Sequence, residues 1–158
     1  MERMTMERIQ LSNTKDVVGY LLNGVNAKAP IYMTSLSAGA DVFAHIERDL
    51  IIPPYKVCSI PTGIILDMQG TGLYAELHIR SGLAKNGIVL NNSVGIIDGD
   101  YQGDIIAMLR NLNSHSFTIV PEQRIAQLVF KPLIKVKFIP LNAITPTERG
   151  EGGFGSTK

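Results

Sequence analysis

The chain has 158 residues, enough for one domain with its own buried core, and no apolar run in it reaches membrane-spanning length. A formal net charge of +1 excludes the basic face or stripe expected of a general nucleic-acid binder. Only 18% of residues are charged, which points to apolar surface covered in a subunit interface.

At the amino end, Met1 to Arg8 carries no apolar segment and does not read as a secretory signal. Residues 16–22 place Val17, Val18, Leu21 and Leu22 at helical spacing and predict a short helix. Cys58 reads as a small core residue in a strand, without a partner for an internal disulfide. That usage fits a reducing compartment, cytoplasmic or nuclear.

Strand signals dominate from there on. Residues 57–66, 104–109, 116–120 and 125–130 are rich in β-branched or aliphatic side chains. Residues 74–80 alternate, with Ala75, Leu77 and Ile79 on one face and Glu76, His78 and Arg80 on the other, and 134–138 alternate equally cleanly. Prolines 53, 54, 61, 121, 132 and 140 punctuate these runs. The pattern predicts an all-β fold, an antiparallel sandwich or barrel of short strands with very little helix. A second helical turn is expected at Ser81, with Ser81 as its N-cap.

Four segments carry chemistry-bearing residues. In 95–103, a Gly-bounded stretch flanked like a wide β-hairpin, Asp98 and Tyr101 stand three apart. An ionised aspartate there is able to take a proton from water, and Tyr101 to offer a ring to a sugar or base. Asp98 and Asp100 also suit an ordinary turn with Asx hydrogen bonds. Arg80-Ser81-Gly82 sets a guanidinium beside a hydroxyl and backbone N–H groups, equally an anion site or a capped surface turn. Arg124 and Gln127 alternate unevenly in an apolar strand, and Asp41 lies in another such strand. Either pair needs protein partners or a ligand.

From Thr145 onward the only apolar side chain is Phe154, so residues 145–158 read as a tail that orders only when something holds it. Its Gly150-x-Gly152-x-x-Gly155 matches a dinucleotide fingerprint as text but lacks the preceding strand and following helix, and that reading is rejected. His45, His78 and His115 have no ligand-like spacing.

Taken together and in order, 38–44, 80–84, 91–103, 124–130 and 149–157 resemble the five motifs of the trimeric dUTPase family. The resemblance implies a jelly-roll-like homotrimer with an exchanged C-terminal strand and tail, residues 1–144 forming the β domain and 145–158 closing over a neighbour's site. It implies Mg2+-dependent hydrolysis of dUTP to dUMP and pyrophosphate, which limits uracil incorporation into DNA and supplies dUMP for dTMP synthesis. Carried onto this chain, Asp98 activates the attacking water and Tyr101 packs under the deoxyribose. Asn92 and the backbone near Gly95, Ile96, Ile97 and Ile106 read the uracil. Arg80, Ser81, Gly82 and Gln127 hold phosphates, and Asp41 meets magnesium through water. Arg149, Ser156 and Thr157 clamp the γ-phosphate, with Phe154 and Gly155 against the base. Neither nucleic acid nor membrane is an expected partner, and a viral source fits as well as a cellular one.

Three features depart from the family pattern: Ile79 where proline is usual, an amino-terminal stretch at 13–27 that looks long, and an end directly after the clamp. Two other readings share the fold: a dCTP deaminase-like enzyme, and a trimeric binding or regulatory protein.

Overall fold

The computed structural model describes residues 17–153. In chain order the strands are β1 (Gly19–Leu22), β2 (Ala40–Phe43), β3 (Leu50–Ile52), β4 (Val57–Pro61), β5 (Ile64–Asp67) and β6 (Leu73–Ile79). After the helix α1 (Ser81–Lys85) come β7 (Ile88–Leu90), β8 (Gly95–Ile97), β9 (Ile106–Asn111), β10 (Phe117–Ile119) and β11 (Arg124–Pro132). The all-β expectation holds, with α1 as the one helix among the described residues. No described helix is long and apolar enough to cross a membrane.

Every pairing is antiparallel. A four-stranded sheet runs β2-β11-β6-β8, a three-stranded one β4-β9-β7, and two ribbons pair β1 with β5 and β3 with β10. Their inner faces meet in one core. Val42, Ala75, Leu77, Ala126 and Leu128 come from the first sheet, Ile60, Leu90, Ala107 and Leu109 from the second, and Ile52, Ile64 and Ile119 from the ribbons. Alternation in β6 and β9 follows from this, since one side of each sheet must exclude water. Asn111 is fully buried with its partners in place: its Nδ2 donates to the carbonyls of Ile52 (3.0 Å) and His115 (2.8 Å), and its Oδ1 accepts from the Asn113 N–H at 2.9 Å.

Several expectations are corrected. Residues 19–22 form a strand, not a helix, because Gly19 to Leu22 find backbone partners on Asp67 to Ile64. Tertiary pairing overrides the local 3.6-residue spacing there. The run 57–66 is two strands, broken at Thr62-Gly63, where Gly63 takes φ +69. Residues 134–138 form no strand among the described residues: Ile134 is 81% and Phe138 90% exposed, with no described edge paired to them. Ser81 is the first residue of α1 and makes no side-chain cap bond. Arg80 stands at the N-cap, and its carbonyl accepts from Leu83 and Ala84.

On the outer face of the four-stranded sheet, Glu76 is buried under its neighbours. Lys131 Nζ donates to it at 2.8 Å, His78 Nε2 at 2.9 Å and Tyr74 Oη at 2.8 Å. Lys131, followed by His78 and Tyr74, holds the Glu76 carboxyl down at about 2 from its ordinary 4.5. A depressed carboxyl stabilises the fold above its unfolded value and loses that contribution as pH falls toward its folded value. Melting temperature should therefore fall more steeply between pH 4.5 and about 2 in the wild type than in Glu76→Gln. Parallel curves for the two proteins would contradict this assignment.

Candidate functional site

Strands β7 and β9 pair through Leu90↔Leu109, so the segment between them is the wide hairpin that the sequence suggests. Its middle does something the sequence does not announce: β8 leaves for the other sheet and pairs with β6 (Glu76↔Ile96, Leu77↔Gly95). Glycine at 95 permits this approach, since a Cβ there would lie 3.1 Å from that of Leu77. Gly99 is likewise constrained, by the Leu73 carbonyl 3.0 Å from where its Cβ would stand.

Where the two sheets part, a cavity of about 300 Å³ opens. Asn92, Gly95, Ile96, Ile97, Asp98, Tyr101 and Ile106, all singled out from the sequence, line it together. The Tyr101 N–H donates to the Asp98 carbonyl at 3.1 Å, closing the turn that presents both side chains. Asp98 is exposed, and no hydrogen bond among the described residues occupies its carboxylate, so the Asx alternative is not realised. As the edge strand of its sheet, β8 leaves one row of backbone groups without a strand partner. Ser59, Met108 and Asp104 also line the cavity and were not anticipated. The Ser59↔Met108 pairing of β4 with β9 brings two of them in, a contact that no local sequence signal carries.

The return limb of the hairpin is pinned from behind. Thr62, fully buried, donates its hydroxyl to the Ile105 carbonyl at 2.8 Å. The Ile64 N–H donates to the Asp104 carboxylate at 3.2 Å, and the Ile105 N–H to the Ile64 carbonyl at 2.9 Å.

A second polar cluster lies elsewhere on the same four-stranded sheet. Gln127 pairs with Asp41 on one side and with His78 on the other, which sets the three side chains in a row. Arg124 is three residues before Gln127 and in a regular strand would point to the opposite face. A β-bulge between Arg124 and Ala126 adds the residue that turns it back. The uneven spacing seen in the sequence is this bulge. Asp41, buried on β2, then takes two guanidinium groups: Arg80 Nε donates to Oδ1 at 2.9 Å and Arg124 NH1 to Oδ2 at 3.2 Å. Two cations on one carboxylate leave a net charge of +1 and N–H donors to spare. Sequence reasoning did not count Arg124 among the site residues.

Gly39 makes room for the Gln127 amide, whose Oε1 would lie 2.6 Å from a Cβ at 39. Ser81 and Gly82 stand exposed at the start of α1, with nothing within 4 Å of where a Gly82 Cβ would point. Arg149 is exposed and donates through Nε to the Gly152 carbonyl at 2.9 Å. Phe154, Gly155, Ser156 and Thr157 lie outside the described residues. None of Asp41, Arg80, Ser81, Gly82 and Gln127 lines the cavity of its own chain.

No group of three or more His, Cys, Asp or Glu among the described residues is placed to hold a metal ion. Asp41 keeps unused lone pairs beside its two ion pairs, so the group present fits a hydrated magnesium ion's bound water better than a set of direct ligands.

The dUTPase family model matches residues 25–158. The deoxyuridine 5'-triphosphate nucleotidohydrolase of Anaplasma marginale is 41% identical over 138 residues, covering 87% of this chain and 93% of its own. That of Salmonella paratyphi A is 45% identical over 127 residues, covering 80% and 84%. Among solved structures, the Staphylococcus bacteriophage 80alpha dUTPase with dUPNHPP superposes with a TM-score of 0.81 at 23% identity, over 90% of this chain and 99% of that one. The chain belongs to the dUTPase family.

The Asp41 cluster makes its own prediction. Replacing Asp41 with Ala leaves two facing guanidinium groups with nothing between them, and should cost about 2 kcal/mol in urea unfolding, less than the loss of a fully buried pair because both guanidinium groups are partly exposed to water. Replacing Arg124 alone should cost less, because Arg80 still satisfies the acid. The reverse ranking would overturn the placement of Asp41 at the centre.

Proposed function

We propose that this chain hydrolyses dUTP to dUMP and pyrophosphate with magnesium, as a homotrimer whose sites are each assembled from three copies. The observation that carries the reading is that one cavity gathers the six residues we assign to base and sugar together with Asp98, whose exposed carboxylate has no hydrogen-bond partner among the described residues. Asp98 takes a proton from a water whose oxygen attacks the α-phosphorus. The α–β phosphoanhydride bond breaks and pyrophosphate leaves. Tyr101 packs against the deoxyribose, while Asn92 and the backbone around Gly95, Ile96, Ile97 and Ile106 receive the uracil edge. Main-chain groups on a fixed strand exclude thymine by contact and cytosine by donor–acceptor mismatch.

Arg80, Ser81, Gly82 and Gln127 of a second copy grip the phosphates. The separation of that donor-rich cluster from the cavity of its own chain supports sharing between copies. Arg149, Phe154, Gly155, Ser156 and Thr157 of a third copy close the site, excluding water and aligning the triphosphate. Magnesium, met by Asp41 through water, neutralises phosphate charge when bound. The exposed arm beyond β11 supports the trimer: Ile134, Val136, Phe138 and Ile144 are 66–90% exposed and need an apolar surface to cover them. Removal of dUTP limits uracil incorporation into DNA and supplies dUMP for dTMP synthesis.

Supplied with dUTP and magnesium, the purified chain should release pyrophosphate and dUMP in equal amounts, and a folded protein that releases neither refutes the proposal. Asp98→Asn should fold and bind nucleotide while kcat drops by about 10²–10⁴, the range for losing a general base. Ending the chain at residue 144 should abolish most turnover yet leave the solution mass that of three chains, whereas full activity without the tail would remove it from the mechanism.

A further inference from the structure

Gly103 is a glycine for a reason other than backbone freedom. Its φ lies outside the left-handed region, so alanine would be conformationally unstrained there. The obstacle is the side chain of Tyr101. A Cβ at 103 would overlap the phenol oxygen and stand 2.6 Å from Cζ and 3.1 Å from Cε2, its three nearest atoms all belonging to that side chain. The ring is folded back over residue 103, and its hydroxyl donates to the Asp104 carbonyl at 3.1 Å. Asp104 is itself held, through its carboxylate, by the Ile64 N–H. Tyr101 lines the cavity yet is 46% exposed, so this seat and latch fix the ring more than surrounding packing does. Gly103 does not line the cavity and supports the ring from outside it.

We propose that Gly103 is a specificity-determining position: the lack of a Cβ there sets how deep the Tyr101 ring sits, and so the clearance left at the sugar C2′. This rests on the reading of the cavity as a deoxyuridine nucleotide site. The atoms that an added methyl meets are the free end of a mobile side chain, so alanine displaces the ring instead of unfolding the hairpin. Asp104 acts with Gly103 as a positioning residue, through its carbonyl.

The test is steady-state kinetics of the full-length wild type, Gly103→Ala and Tyr101→Phe on dUTP and on UTP, with melting curves for each. Gly103→Ala should melt with the wild type, show a raised KM for dUTP, and lose roughly tenfold or more in the ratio of kcat/KM for dUTP over UTP. Tyr101→Phe, which keeps the ring and loses the latch, should shift the ratio in the same direction by less. An unchanged ratio in a folded Gly103→Ala, or an equal loss on both substrates, overturns the proposal. Failure of the wild type to hydrolyse dUTP sinks the underlying reading instead. The seat is then judged by dUMP against UMP binding, where equal discrimination in wild type and Gly103→Ala overturns it as well.

Discussion

The site depends on one topological constraint: the chain leaves a sheet and returns to it while lending three residues to the sheet opposite. Strands β7 and β9 are hydrogen-bonded neighbours, yet β8 between them is bonded to β6. A flat hairpin would satisfy its backbone groups within itself and enclose nothing. Here the excursion opens a space where the sheets diverge, with the free edge of β8 beside it. Such a crossing is costly to hold, and the holding points are identifiable. Gly95 and Gly99 permit two close approaches, and the Thr62–Asp104–Ile105 contacts fasten the return limb to the corner between β4 and β5. On the proposed function, a base bound there would meet backbone fastened on both limbs, which is what discrimination by contact requires.

The two polar clusters of the four-stranded sheet differ in what they leave unsatisfied. Around Glu76, one carboxylate receives three donors, and the network is closed on itself. Around Asp41 the balance is reversed: two guanidinium groups share one carboxylate, and several N–H groups remain over. A closed network rigidifies and a donor-rich one recruits, because donors near the surface are best satisfied by an incoming anion. Position on the same sheet therefore does not distinguish the two clusters, whereas the donor count does.

Much of this was legible in the sequence, and the illegible parts share a cause. The period-2 alternation of 74–80 and the proline punctuation report local burial, and they gave the strand class correctly. Of the seven cavity residues, Asp98 and Tyr101 stood out from their own Gly-bounded segment, and the other five came only with the family resemblance. Residues 19–22 misled, since the spacing of Val17, Val18, Leu21 and Leu22 suits a helix and only the distant strand β5 decides otherwise. Arg124 was visible as an irregularity but not as a partner of Asp41, 83 residues away, until the bulge was seen. Ser59 and Met108 reach the cavity purely through strand pairing. What a residue does through its neighbours in sequence can be read; what it does through register cannot.

The end of the chain divides into two stretches with opposite physical needs. Residues 133–144 are rich in large apolar side chains, which alternate with Lys135 and Lys137 over 134–138, and stand in solvent; covering each of Ile134, Val136 and Phe138 is worth about 1.5–3 kcal/mol. Residues 145–153 carry nothing comparable, and their hydrogen bonds among the described residues stay local, as between Arg149 and Gly152. In the proposed trimer the first stretch is therefore anchored permanently by apolar burial, and it fixes where the second begins. On that proposal the second stays unanchored until a triphosphate supplies the negative charge that Arg149 does not meet among the described residues. Ordering a tail of small and glycine residues costs about 1–2 kcal/mol per residue, so binding a triphosphate can close it only if the starting point is already fixed and few residues remain to be ordered. An anchor of apolar side chains followed directly by a glycine-rich clamp meets both conditions, and it explains why the two compositions abut instead of intermingling.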